Sequence, residues 1–163
     1  MYLDAWRTPS AGRNFNAFAN LMPRPATILL VEDNSDDEAL TAEALRIGTT
    51  ADVEVVRDGR EALDYLFHDA RDMPQLVLLD LNLPEIDGLD VLQRIREDDR
   101  TRLIPVVILT GFNAPIDVAA AYRYGANSYV RKPVDFDQFA EVIHQLSVYW
   151  LVVNEPPPDA NDR

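Results

Sequence analysis

No cysteine occurs among the 163 residues of this chain, so disulfides, thiol nucleophiles and thiolate metal sites are all excluded. That usage suits a reducing cytoplasm, which is the expected location. Histidine is nearly as scarce: His68 and His144 both fall in helical patterns away from the acidic positions described below. They read as ordinary helix-surface residues and not as phosphodonors. Positive charge is in short supply, with 15 basic against 28 acidic side chains and a net charge of -13. DNA, RNA and anionic membrane surfaces would be repelled, so no nucleic-acid or membrane partner is expected. Long apolar runs are missing too. The longest, Val148-Tyr149-Trp150-Leu151-Val152-Val153, is too short to span a bilayer, and the N-terminus has no apolar stretch of the export type. Lysine occurs once, as Lys132, among fourteen arginines. A surface that needed only generic positive charge would not single out one lysine.

What is present is a regular alternation. Residues 1–24 hold Pro9, Gly12 and Pro23 without a sustained period and read as a flexible leader. From Thr27 onward, short Val/Leu/Ile runs alternate with helical patterns. Strands are expected at Ile28–Val31, Val53–Val56, Leu76–Leu79, from Pro105 to Leu109, and at Ser128–Val130. Helices are expected from a Ser35 cap to about Ile47 with Gly48 ending it, from Gly59 to about His68, after Gly88, over Ala114–Tyr124 with Gly125 as the stop, and from near Asp135 to about Leu146. Near-continuous apolar strands are what a parallel sheet covered on both faces requires. Right-handed crossovers then give a doubly wound α/β sandwich of five strands and five helices.

Four of these strands end in polar residues that an apolar strand has no need of. The first stops at Glu32-Asp33, the third at Asp80, the fourth at Thr110, and the fifth runs into Arg131-Lys132-Pro133. Carboxyl ends of neighbouring parallel strands lie side by side, so these positions converge on one edge. A carboxylate at Asp80, followed by a loop of turn formers, can attack phosphorus and form an aspartyl phosphate. The attacking anion and the phosphoryl oxygens repel each other, which calls for a divalent cation. Glu32, Asp33, Asp80 and a loop carbonyl offer hard oxygen ligands for Mg²⁺. Lys132 would neutralise one phosphoryl oxygen, the Thr110 hydroxyl would bond another, and Gly111 leaves room for the incoming group. Any one of these residues alone reads as a helix cap, a turn or a solvated loop residue. Their coincidence at one switch-point edge is what points to a site.

Over about residues 26–150 the chain resembles a response-regulator receiver domain, through Val31-Glu32-Asp33-Asn34, Leu79-Asp80-Leu81-Asn82-Leu83-Pro84, Leu109-Thr110-Gly111 and Lys132-Pro133. The resemblance implies a flavodoxin-like fold with strand order 2-1-3-4-5. It implies Asp80 as phosphoacceptor, Asp33, Asp80 and the Asn82 carbonyl on Mg²⁺ with Glu32 joining through water, and Lys132 on the phosphoryl group. Thr110 and Tyr129 would form a switch pair, and the Lys132-Pro133 peptide would be cis. Without the resemblance, Tyr129 reads equally well as partly buried packing. Many members carry Asp where this chain has Glu32.

The tail leaves two readings open. Apolar residues continue past the last helix, and one helix face cannot bury a run that is apolar all round. Either the segment folds back on its own domain or it is a self-association surface anchored by Tyr149, Trp150 and Leu151. Residues 147–163 are thus expected to form an extension, apolar and then Pro-rich at Pro156-Pro157-Pro158, and the chain to dimerise. No effector domain is expected beyond it. Tyr149–Pro158, with Lys132–Phe136, is similar to the stand-alone regulators that accompany bacterial phytochromes and related histidine kinases. The leading expectation is a single-domain phosphoacceptor that takes its phosphoryl group from a histidine kinase. An aspartyl phosphatase is a competing class, but it would want an acid two residues after the nucleophile, where Asn82 stands. A degenerate scaffold is the third, and the intact acid set argues against it.

Overall fold

A computed structural model describes residues 26–68 and 72–158; the leader expected over residues 1–24 lies outside the described residues. Five strands form one parallel sheet: β1 (Thr27–Val31), β2 (Asp52–Val56), β3 (Leu76–Leu79), β4 (Val106–Thr110) and β5 (Ser128–Arg131). Their order is β2-β1-β3-β4-β5, the one implied by the resemblance. β1, β3 and β4 are buried almost throughout, whereas β2 and β5, at the two edges, are half-buried.

Period-two side-chain alternation sorts the sheet residues into two cores. Leu29, Val31, Val77, Leu79, Val106 and Ile108 face one side, with Ala62 and Leu66 of α2 (Gly59–Phe67), Val91, Leu92 and Ile95 of α3 (Gly88–Glu97), and Ala121 of α4 (Pro115–Arg123). Ile28, Leu30, Leu76, Leu78, Val107 and Leu109 face the other, with Ala44 and Leu45 of α1 (Ser35–Gly48) and Phe139 and Ile143 of α5 (Phe136–Val148). Three layers result, with α1 and α5 packed together on one face. Among the described residues, no helix is long and apolar enough to cross a membrane.

Local chemistry corrects several boundaries. The cap of α1 is Asn34, not Ser35, because the Asn34 side-chain oxygen accepts the N–H groups of Asp36 and Asp37 at 3.0 Å each. Gly48 is the last helical residue and Thr49 the cap. His68 follows α2 instead of ending it, and α4 is one residue shorter at each end than expected. No peptide bond is cis among the described residues, so the Lys132-Pro133 bond is trans, contrary to the expectation.

The last helix also runs further than Leu146. After α5 the chain continues as a π-helical turn over Tyr149–Val153, closed by Asn154 N–H donating to the Tyr149 carbonyl at 2.7 Å. Trp150 and Leu151 pack back on the α1/α5 core, while Tyr149, Val152 and Val153 stay exposed. The apolar run is therefore split between the domain's own core and solvent.

Candidate functional site

Backbone hydrogen bonds carry the sheet one residue past its strands and fix the polar edge. Glu32 N–H donates to the Val56 carbonyl at 3.0 Å, Asp80 N–H to Val31 at 3.1 Å, and Lys132 N–H to Thr110 at 2.8 Å. Each residue that follows an apolar strand is thus held by the neighbouring strand, not by a free loop. Beyond Asp80 the loop turns back so closely that a Cβ on Gly88 would lie 2.3 Å from the Asp80 carbonyl oxygen. Only a glycine allows that approach.

Asp80 is 7% exposed and both of its carboxylate oxygens accept hydrogen bonds. Oδ1 accepts from the Thr110 hydroxyl at 3.0 Å and from the Asn82 N–H at 3.0 Å. Oδ2 accepts from the Lys132 ammonium at 2.8 Å. Lys132 reaches this point from the sheet edge along its four-carbon stem, and its side chain is 9% exposed. The same ammonium donates to Glu32 and, at 2.8 Å, to Asp37. The cavity above these groups has a volume of about 460 Å³ and is lined by Glu32, Asp33, Asp37, Asp80, Asn82 and Lys132, with Gly111 and Phe112 at its rim. A Cβ on Gly111 would meet nothing within 4 Å, so space on that side is open, as expected.

Electrostatics follow from burial and the uneven charge count. Burial pushes the Glu32 carboxyl up to about 7, against the pull of Lys132, with Asp80 adding to the rise. Burial by itself would lower the Lys132 ammonium, but its hydrogen bonds to Asp37, Asp80 and Glu32 outweigh that and raise it. The two rises have different origins: burial makes Glu32 resist ionising although Lys132 pulls the other way, whereas Lys132 stays charged because three carboxylates accept from it. Glu32, Asp37 and Asp80 each place a carboxylate oxygen within 4.8 Å of the others, with exposed Asp33 beside them. This surplus of hard anionic oxygen fits a divalent cation such as Mg²⁺.

Of the residues expected at one site, Glu32, Asp33, Asp80, Asn82 and Lys132 line the cavity, while Thr110 is fully buried and reaches it through its hydroxyl on Asp80. Tyr129 sits at the rim: its hydroxyl donates to the Phe112 carbonyl at 3.0 Å, and burial raises its phenol. Tyr149, Trp150 and Leu151 lie far along the chain on the π-helical turn. Asp37 is the residue that sequence reasoning missed. Its signal, an acid in the first turn of a helix, is shared by Asp36 and Glu38 and reads as a response to the helix dipole.

Comparison with known proteins gives the family and agrees with the fold. The family model described as the response regulator receiver domain matches residues 28–144. The chain is 43% identical over 140 residues to the probable methanogenesis regulatory protein FilR2 of Methanothrix harundinacea, covering 83% of this chain and 90% of FilR2. Among solved structures, the phosphorylated cyanobacterial phytochrome response regulator RcpA is 35% identical, with a TM-score of 0.78 over 83% of this chain and 100% of that chain. The Mn²⁺-bound form of the response regulator Rcp1 is similar at 34% identity and a TM-score of 0.77, over 82% of this chain and 100% of that chain.

Proposed function

Because this chain belongs to the response regulator receiver family of two-component signalling, we propose that it accepts a phosphoryl group on Asp80 from the phosphohistidine of a sensor histidine kinase and signals through altered protein–protein binding. The observation that carries this reading is the Asp80 carboxylate itself, clamped between Thr110, Asn82 N–H and Lys132 on the floor of an acidic cavity. In the transfer, an Asp80 oxygen bonds to phosphorus, the P–N bond to the donor imidazole breaks, and the imidazole leaves with that electron pair. Asp33, Asp80 and the Asn82 carbonyl would hold Mg²⁺, with Glu32 joining through a water. When bound, the cation supplies charge that offsets repulsion between the carboxylate and the phosphoryl oxygens. Lys132 then donates to one phosphoryl oxygen and the Thr110 hydroxyl turns from Asp80 towards another. Phe112 links this motion to Tyr129, because its N–H donates to the Thr110 hydroxyl at 3.4 Å and its carbonyl accepts from the Tyr129 hydroxyl at 3.0 Å, and coupling of this kind is worth about 1–3 kcal/mol.

Two finer points belong to the same proposal. The likeness to RcpA, a cyanobacterial phytochrome response regulator, favours a bacteriophytochrome-type kinase as the donor. The exposed side of the π-helical turn, with Tyr149 as its aromatic anchor, favours a homodimer. Labelling by a small phosphodonor with Mg²⁺ tests the core of the reading. Wild-type protein takes up acid-labile phosphate, and Asp80→Asn, which keeps the shape but loses the nucleophile, takes up none while its circular dichroism is unchanged. Full labelling of Asp80→Asn would overturn the assignment. A chelator should abolish wild-type labelling, and Ca²⁺, larger and less demanding in geometry, should restore it poorly.

A further inference from the structure

The Lys132 ammonium has three N–H donors, and each meets a different carboxylate: Glu32, Asp37 and Asp80. Glu32 and Asp80 come from strand ends. Asp37 comes from the first turn of α1, and the helix start does not depend on its side chain. The Asp37 N–H is satisfied by the Asn34 side chain at 3.0 Å, and its carbonyl accepts from the Thr41 hydroxyl at 2.7 Å. Negative charge for the helix dipole is supplied next door by Asp36, an exposed acid of the same turn. The Asp37 carboxylate nonetheless points at the ammonium, at 2.8 Å, with its side chain 40% exposed against 9% for Asp80.

We propose that Asp37 is a positioning residue for phosphoryl transfer: it takes a share of the Lys132 ammonium and so leaves Asp80 with surplus negative charge for the cation and for phosphorus. The inference rests on the reading of Asp80 as phosphoacceptor. An ammonium bonded to Asp80 and Glu32 alone would divide its charge between those two. A third carboxylate, partly hydrated and therefore cheap to keep ionised, draws that charge towards α1. It also ties the ammonium to the first turn of α1, through the hydrogen bond at 2.8 Å. Removing Asp37 lets Lys132 neutralise the acceptor more fully, which makes Asp80 a weaker ligand and a weaker nucleophile.

Binding of Mn²⁺ alone to the full chain, followed by electron paramagnetic resonance, reads this without any phosphodonor. Asp37→Asn should bind Mn²⁺ about three- to tenfold more weakly than wild type, the order expected for a unit charge redistributed over a few ångströms. Asp36→Asn, which removes the same helix-dipole charge from an exposed site, should stay within about twofold, and Asp37→Glu should keep the wild-type affinity. In a Lys132→Ala background the Asp37→Asn effect should shrink to within about twofold, since the route through the lysine is gone. Asp37→Ser serves as a second variant with a short polar side chain and should show the same loss. Wild-type affinity in Asp37→Asn, an equal loss in Asp36→Asn, or an undiminished loss in the Lys132→Ala background would each overturn the inference. If wild-type protein bound no Mn²⁺, the reading of the whole site would fall, an outcome distinct from the failure of Asp37 alone.

Discussion

At the scale of single residues, the site depends on a lysine that arginine could not replace. Three carboxylates converge on one nitrogen at hydrogen-bond distance, which suits a compact ammonium with three rotatable donors and not a planar fork. That is why one lysine among fourteen arginines was informative. A second residue-scale consequence concerns Phe112, whose ring is 51% exposed at the cavity rim. If Asp80 carries the phosphoryl group as proposed, water attacking it would approach past Asn82 and this ring, and the ring offers it neither a hydrogen bond nor a base. Phe112→Glu would supply a group able to orient that water, and dephosphorylation should speed up by about three- to tenfold, a small part of what a well-placed base supplies. Decay of acid-labile phosphate after removal of the donor measures it, and equal or slower decay in the variant would count against the role. Asp37 shows where reading residues one at a time fails. Within Asn34-Ser35-Asp36-Asp37-Glu38 every acid has a sufficient local reason to be there, and only the folded position of Lys132, 95 residues away in sequence, separates one from the others.

Secondary-structure elements place those residues, and their legibility varied with the strength of the local signal. β1, β3 and β4 were plain because four consecutive apolar residues, bounded by turn formers and polar strand ends, fit a parallel strand buried on both faces. Helix ends shifted by a residue or two because a cap depends on where a side chain turns, as with Asn34 in place of Ser35. The π-helical turn at Tyr149–Val153 was illegible: six apolar residues in a row carry no period. The ties beneath the sheet were also hidden. Arg96, at the end of α3, donates to the carbonyls of Gly125, Arg102 and Ile104 and to the Asn127 side chain, at 2.8–3.1 Å, and burial lowers its guanidinium. It joins the lead-ins of β4 and β5 without any carboxylate partner among these bonds. The loop from Asp80 to α3 yields the prediction at this scale. A methyl at Gly88 would strike the Asp80 backbone oxygen at 2.3 Å, so Gly88→Ala must move either the helix start or the acceptor. We expect a loss of about 2–4 kcal/mol in urea unfolding, together with slower phosphorylation at saturating Mg²⁺. A variant with wild-type stability and rate would show that the loop yields without cost.

For the whole molecule, the tail is where the proposed dimer is tested. Trp150 and Leu151 pack on the α1/α5 core, so truncation after Leu146 would remove intramolecular packing along with any surface. Point changes on the exposed side separate the two. Tyr149 is 51% exposed and stacks edge-on against Trp150, with ring centroids 5.0 Å apart, while Val152 and Val153 extend the same apolar strip. An aromatic fixed in place by its neighbour loses little entropy on docking, which favours it as an anchor. A net charge of -13 opposes self-association, so a dimer through this strip would have to outweigh that repulsion, and added salt should strengthen it by screening. Light scattering should find the full chain dimeric at tens of micromolar, which corresponds to an association of about -8 kcal/mol for a dissociation constant near 1 μM. Tyr149→Asp with Val153→Asp should be monomeric at the same concentration, with a melting temperature within about 2 °C of a monomeric reference at high dilution, because neither side chain is buried in the core. A wild-type monomer under those conditions, or a dimer that tolerates both charges, would return the tail to purely intramolecular packing.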